Sequence, residues 1–201
     1  LSLKARGSTF HPGKIHASWM NSALKSIAHW EKAVDALSKA GLHPHPDVPK
    51  NWDSAGTLDF ILRNTSRASR ILSAGSSDAD PLVEWLYLYG YENLDVINLA
   101  FDRDFTRGPI SYRRGDVTDT GYPNDYFDAV SSISVIENEI DLEAFLRENH
   151  RILQQGGFLI LSTDYWPRDL DTYAPLAFDR HLKVFSEADI EALLDLARAI
   201  G

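Results

Sequence analysis

The sequence contains no cysteine, no long apolar run and fewer basic than acidic residues. Without cysteine, the chain can form neither a disulfide nor a zinc site built on thiolates. No stretch approaches the roughly 18 apolar residues that a membrane-spanning helix needs. The opening residues 1–4 also lack the basic-then-apolar order of a signal peptide. We therefore expect a soluble, cytoplasmic protein.

The charge balance bears on which partners the protein can have. Lys and Arg total 20 against 29 Asp and Glu, a net charge of −9. Such a surface repels phosphate backbones at long range, so we do not expect a nucleic-acid partner. The chain has 201 residues, of which 44% are hydrophobic, which is enough for the core of one domain. His43 and His45 stand close together, but no other ligand lies in a recognisable motif, so no metal is expected.

The first 65 residues differ in pattern from the rest. Apolar residues at near-helical spacing predict a helix over 15–40, with Gly41 just past its end. Three prolines in residues 43–49 exclude regular structure there. A second helix is predicted from about 54 to 63. We interpret residues 1–65 as an N-terminal helical extension and residues 66–201 as a second unit.

From residue 70 onward, predicted strands and helices alternate. The strands are predicted at 71–74, 94–100, 110–114, 127–134 and 158–161. The helices are predicted to begin at Asp80-Pro81, at Asp141 and at the capping-box sequence Ser186–Asp189, and Gly156-Gly157 is expected to end the middle one. This alternation predicts an α/β fold with a doubly wound, mostly parallel sheet and helices on both faces. Such sheets bind ligands at the carboxyl ends of their strands.

Four predicted strand ends carry polar or glycine-containing segments. Gly75 follows the first strand, where a glycine lets the backbone pass close to a ligand. Asn98 ends the second strand, at the place where such folds contact ribose hydroxyls. Asp116 follows the third strand and could accept from an exocyclic amine, and Ser134 opens the polar loop after the fourth. An ordinary tight turn or a solvated strand end explains each of these segments equally well when it is taken alone.

The order and spacing of these segments resemble class I S-adenosylmethionine-dependent methyltransferases of the type that modifies small molecules. The likeness runs from about residue 70 to 194 and includes Phe127–Val130, the stretch Ser134–Asn138 and the turn Gly156-Gly157. It implies a Rossmann-like fold and S-adenosylmethionine as cofactor, with a small molecule or a saccharide as methyl acceptor. The residues expected to bind the cofactor are Ser73, Ala74, Gly75, Ser76, Asn98, Leu99, Asp116, Val117 and Ser134.

On the acceptor side, the segment after the fifth strand supplies the candidate catalytic residues. Asp164 could take a proton, Tyr165 could orient the acceptor, and His181 on the following segment could enter the pocket. An anchored surface loop is the alternative interpretation of Asp164 and Tyr165.

The sequence also departs from the family pattern. The loop at residues 73–79 keeps one glycine, Asn98 replaces an acidic residue that would bind ribose more strongly, and Asn138 replaces a histidine. The sequence also ends before the last two strands of the fold. These departures support a second hypothesis, a non-catalytic module that binds the cofactor or a partner. A third, a nicotinamide-dependent oxidoreductase, lacks its Gly-x-Gly-x-x-Gly loop.

Overall fold

A six-stranded sheet, whose strand order reverses at its middle, forms the centre of the molecule. The computed structural model describes residues 10–168 and 182–201. Its strands are β1 (Arg70–Ala74), β2 (Asn93–Ile97), β3 (Phe105–Arg107), β4 (Ile110–Arg113), β5 (Phe127–Ile133) and β6 (Leu153–Ser162). The spatial order is β3-β4-β2-β1-β5-β6, and every neighbouring pair is parallel except β3 with β4.

Helices cover both faces of this sheet, as the sequence predicts. They are α1 (Ile27–Lys39), α2 (Lys50–Asn64), α3 (Leu82–Leu88), α4 (Leu142–Ile152) and α5 (Glu187–Ile200). One apolar core joins α1, α2 and α3 to one face, where Ile71 of β1 points. The other core joins α4 and α5 to the opposite face, where Leu72 points. The predicted doubly wound, mostly parallel α/β fold is confirmed.

The predicted helix over 15–40 is wrong in its first half, because α1 begins only at Ile27. Residues 10–26 are irregular, and Asn21 has a φ of 58°, which interrupts a helix. Contacts with α2 hold this segment instead. The Trp19 indole donates to the Trp52 carbonyl at 2.8 Å, and the Ala17 N–H donates to the Asp59 carboxylate at 3.1 Å. Tertiary packing here overrides the helical spacing of the apolar residues.

The second helix begins at Lys50, four residues before the predicted start. Asn51 is fully buried at its first turn. The Asn51 side chain donates to the carbonyls of His45 at 3.1 Å and Val48 at 2.9 Å, and accepts from the His45 N–H. One amide side chain therefore fastens the proline-rich connector to α2.

Three other boundaries also differ from the sequence prediction. The second strand ends at Ile97 rather than at residue 100, and the short antiparallel strand β3 was not predicted. The middle helix ends at Ile152, not at the glycines, because the chain turns to extended geometry at Leu153. Gly156-Gly157 instead lies within the irregular start of β6. The predicted Asp141 cap and the capping box at Ser186 are both present.

Within the described part of the chain, no helix is both long enough and apolar enough to cross a bilayer.

Candidate active site

The strand order reverses at β1 and β5, whose carboxyl ends lie side by side in the middle of the sheet. β1 pairs with β2 on one side and with β5 on the other, so this position is the topological switch point of the sheet. Ligands of open α/β sheets bind outside the carboxyl ends of the strands at such a switch point. The segments after β2, β4 and β6 border it along the same edge, since those strands are parallel to β1 and β5.

Gly75 occupies the centre of this edge. Its φ of 82° lies in the left-handed region that favours glycine, and its N–H donates to the Ile97 carbonyl at 2.7 Å. A Cβ atom at this position would stand 2.5 Å from a methyl group of Val135, in the loop after β5. Gly75 is therefore required both by its torsion and by the close approach of the two loops.

Three buried or half-buried polar side chains hold the loop after β1. The hydroxyls of Ser73 and Ser76 are 2.6 Å apart, and the Ser76 hydroxyl donates to Asp80 at 2.9 Å. Asp80 also accepts from the Leu82 N–H at 3.0 Å, at the entry to α3. Ala74 is buried at the end of β1. These bonds give the loop a defined path although only one of its residues is glycine.

Asn98 binds this loop as well. The Asn98 side-chain amide donates to the Gly75 carbonyl at 2.7 Å and to the Ser76 carbonyl at 3.1 Å, and its oxygen accepts from the Ala100 N–H. Both donors are thus used inside the protein. The side-chain oxygen keeps one further lone pair with which a ribose hydroxyl can bond.

The segment after β4 supplies a polar and an apolar group. One Asp116 oxygen accepts from the Thr118 N–H at 2.8 Å and from its hydroxyl at 2.7 Å, so the other oxygen is the one that can face a ligand. Val117 is buried, whereas Leu99 is 58% exposed at the same edge. An exposed leucine beside a polar loop is an apolar surface on which a planar base can lie.

The loop after β5 turns sharply at Ser134, which has a φ of 53°. The Ser134 N–H donates to the Ser162 carbonyl at 3.1 Å, which extends the pairing of β5 with β6. The Asn138 amide donates to the Val135 carbonyl at 3.0 Å and stabilises this turn. Asn138, which replaces the expected histidine, therefore has a structural role in this turn.

Three carboxylates gather where β5 and β6 end. Glu137 is buried and accepts from the Thr163 hydroxyl at 3.2 Å. Burial raises the pKa of Glu137, and the nearby Asp164 carboxylate adds to this rise. Burial also raises the pKa of Asp53 to about 6, although the neighbouring Lys50 ammonium and Ser162 hydroxyl act in the opposite direction.

The sequence prediction missed Asp53, which belongs to α2 in the N-terminal part of the chain. The Phe60 ring meets the Phe158 ring edge-on, with centroids 5.2 Å apart. Asp53 precedes Phe60 by two helical turns and lies beside Ser162, four residues after Phe158. Thus α2 runs antiparallel to β6 and brings its first turn to the carboxyl edge of the sheet.

Of the predicted catalytic residues, two lie at this edge and one cannot be placed. Asp164 is exposed, and its charge acts on both Asp53 and Glu137. Tyr165 is 37% exposed and forms an isolated bridge with Phe185. His181 lies outside the described residues.

A cavity lies away from this edge of the sheet. It has a volume of about 670 Å³ and lies between α4, α5 and the first half of β6, toward the opposite edge of the sheet.

Among the residues that the structure describes, no three His, Asp or Glu side chains are grouped so that they could hold a metal ion.

Residues 88–161 match the family model of a methyltransferase domain. The match runs from the end of α3 into β6 and includes Asn98, Asp116, Val117 and Ser134, but neither Gly75 nor Asp53. It supports S-adenosylmethionine as the cofactor, as the sequence resemblance implies. No curated protein matches the chain.

Solved structures similar to this chain share its fold at low sequence identity. Geranyl diphosphate C-methyltransferase from Streptomyces coelicolor A3(2) has a TM-score of 0.54 at 15% identity, covering 96% of this chain and 75% of its own. A SAM-dependent methyltransferase from Archaeoglobus fulgidus has a TM-score of 0.55 at 16% identity, covering 72% and 66%. The [4+2]-cyclase SpnF has a TM-score of 0.54 at 18% identity, covering 75% of this chain, which spans 59% of the cyclase.

Proposed function

We propose that this chain is a methyltransferase that binds S-adenosylmethionine at the carboxyl edge of its sheet and acts on a small molecule or a saccharide. The observation that carries the proposal is the meeting of four segments at the point where strand order reverses, three of them within the methyltransferase-domain match. Two similar structures contain this cofactor's demethylated product or are named for the cofactor.

The groups at this edge fit the proposed cofactor. Leu99 and Val117 offer apolar surface for the adenine ring, and one Asp116 oxygen can accept from its amine. The Asn98 side-chain oxygen can accept from a ribose hydroxyl while it remains bonded to Ala100. Ser73, Ala74, Gly75, Ser76 and Ser134 are proposed to contact the rest of the cofactor.

Once bound, the cofactor supplies an electrophilic methyl group on a sulfonium. The protein's main task is then to hold the acceptor in line with that group and to exclude water. A proton must also leave when the acceptor is a hydroxyl or an ammonium. Asp53 is placed to accept that proton at its carboxylate, and a pKa of about 6 suits a base that works near neutral pH.

Asp164 and Tyr165 are proposed to contact the acceptor, since both are exposed in the segment after β6 and the Asp164 charge acts on Asp53. His181 remains a candidate from the sequence alone. The gathering of carboxylates favours acceptors that carry an amine or hydroxyl over acceptors that carry a phosphate at this point.

Calorimetric titration tests the proposed cofactor. We expect S-adenosylhomocysteine to bind with a micromolar dissociation constant, which corresponds to about −8 kcal/mol. NADH serves as the comparison ligand and should give no heat. Binding of NADH alone would favour the oxidoreductase hypothesis, and absence of heat and of a thermal shift at millimolar S-adenosylhomocysteine would contradict the proposal.

One observation favours a non-catalytic binding module as the second candidate. Asn98 and Asn138 replace an acidic residue and a histidine. Asn98 is bonded to a backbone carbonyl of the loop after β1, and Asn138 to one within its own loop. The fold does not decide the reaction either, since one similar structure is a [4+2]-cyclase. Methyl transfer to a panel of amines, alcohols and saccharides separates the candidates: a cofactor-binding protein without turnover on any of them would favour the module.

A further inference from the structure

The loop after β1 is fastened at its far end by a side chain from the unpredicted strand β3. The Arg107 guanidinium donates to the Asp78 carbonyl at 2.8 Å and forms an ion pair with the Asp78 carboxylate. The two residues are 29 positions apart in the chain. Asn98 holds the near end of the same loop through the carbonyls of Gly75 and Ser76.

Packing within the β3–β4 hairpin sets the position of Arg107. β3 pairs with β4 so that Phe105 stands opposite Tyr112, and the two rings stack 4.6 Å apart. The Arg107 guanidinium lies 5.4 Å from the centroid of each ring. Arginine stacks well on aromatic rings, and this contact orders the side chain before it meets the loop.

We propose that Arg107 is a positioning residue for the cofactor-binding loop, which it holds by fastening Asp78 to the β3–β4 hairpin. The inference rests on the proposed function, since it assumes that this loop contacts the cofactor. Residues 76–79 contain no glycine, so side-chain bonds at both ends define the path of the loop. Without one of these bonds the loop can adopt other conformations. Cofactor binding must then order the loop, which lowers the affinity.

The effect should be moderate, because both partners are partly exposed. The side chains of Arg107 and Asp78 are 41% and 47% accessible. Exposed ion pairs contribute little in water, so we expect Arg107→Gln to weaken cofactor binding about threefold to tenfold. Asp78→Asn loses the ion pair but keeps the backbone carbonyl that accepts from Arg107. Arg107→Lys keeps the charge but loses the planar guanidinium, which donates to both groups of Asp78. Both should have smaller effects than Arg107→Gln.

Two ligands distinguish loop positioning from direct contact with the ligand. S-Adenosylhomocysteine has an amino-acid carboxylate, and methylthioadenosine has none. A fastened loop predicts that Arg107→Gln weakens both ligands, because the loop carbonyls also hold Asn98, whose oxygen is proposed to contact the ribose that both ligands share. An arginine that binds the carboxylate predicts a loss for S-adenosylhomocysteine alone. Hydrogen exchange of amides 76–80 in the free protein gives an independent measure, and it should be faster in Arg107→Gln.

The matched control is Arg147→Gln on α4, which also breaks a partly exposed arginine–carboxylate pair, with Glu143. It should change neither ligand's dissociation constant nor the exchange of amides 76–80. The inference is overturned if Arg107→Gln binds both ligands as wild type does, or if the loss is confined to S-adenosylhomocysteine. A wild-type protein that binds neither ligand would overturn the proposed function together with the inference.

Discussion

Asp53 is a carboxylate held in surroundings that disfavour its charge. Burial raises its pKa from 3.8 to about 6. Because the folded-state pKa lies above the unfolded value, the free energy of unfolding is higher below pH 4 and falls as the pH rises to 6 and above. The difference corresponds to about 3 kcal/mol at neutral pH.

We therefore expect Asp53→Asn to raise the free energy of unfolding at pH 7.5, by up to about 3 kcal/mol, and to leave it nearly unchanged at pH 4. Urea unfolding at the two pH values measures this. If Asp53 accepts the acceptor's proton, the same variant loses turnover while it still binds cofactor. The exposed Asp102→Asn is the control, expected to stay within about 0.5 kcal/mol. A variant without any pH-dependent gain would contradict the burial of this charge.

At position 98, the structure reverses the expectation that the sequence alone suggests. An acidic residue there would bind ribose more strongly than an amide does. In this protein, however, the amide donates to the carbonyls of Gly75 and Ser76, and a carboxylate would face both oxygens without a proton to share. Asn98→Asp should therefore destabilise the fold by about 1–3 kcal/mol.

The measurement is urea unfolding of Asn98→Asp beside titration with S-adenosylhomocysteine. The control is Asn93→Asp at the start of β2, which also removes an amide-to-carbonyl bond, to Ala68, but an exposed one at the opposite end of the strand. We expect the Asn98→Asp variant to bind less tightly than wild type because the loop has lost two bonds. Tighter binding with unchanged stability would show that Asn98 acts on the ribose and not on the loop.

At the scale of elements, the helix starts marked by a capping side chain were the most predictable features because their signals are local. The Asp141 oxygen accepts from the Ala144 N–H at 3.0 Å, and Ser186 and Asp189 form the reciprocal box, as their spacing predicts. Residues 15–26 were wrongly predicted because their apolar side chains pack against α2 rather than form one side of a helix. The three-residue strand β3 is too short for a periodic signal.

The candidate site was predictable from the sequence only in part. Strand ends reveal which segments share an edge, so Gly75, Asn98 and Asp116 could be brought together from the sequence pattern. Asp53 could not, because the packing of α2 against β6 brings together residues more than 100 positions apart. The direction of α2 relative to the sheet follows from long-range contacts such as that of Phe60 with Phe158.

The Asp141 cap allows a test of one local signal. Asp141→Ala leaves the Ala144 amide in the first turn of α4 without its side-chain partner, and it should lower the free energy of unfolding by about 1 kcal/mol. Glu143→Ala, two residues on, removes a surface pair with Arg147 and an exposed carboxylate from the same turn, and it should change the free energy of unfolding by less than about 0.5 kcal/mol. Equal effects of the two substitutions in thermal unfolding would mean that the cap contributes no special stability.

At the scale of the whole molecule, the N-terminal helices and the sheet share one core. Leu37 of α1 and Leu58 of α2 belong to the same buried cluster as Ile71 of β1 and Leu82 of α3. The Trp85 indole of α3 also donates to the His43 carbonyl of the connector at 2.9 Å. The boundary near residue 65 therefore separates two sequence patterns but does not divide the buried core.

A shared core predicts that the molecule unfolds as one cooperative unit. Leu37 is fully buried, so Leu37→Ala should lower the free energy of unfolding by about 2–5 kcal/mol. Because α1 packs into the core that covers β1, the loss should shift a single transition rather than create an early one. Calorimetry checks this, since the calorimetric and van't Hoff enthalpies agree for a two-state transition.

The control is Leu24→Ala. This leucine lies in the same N-terminal part and is 37% exposed, so its substitution should shift the transition little. Two separate transitions, with only the first sensitive to Leu37→Ala, would show instead that residues 1–65 fold and unfold independently of the sheet.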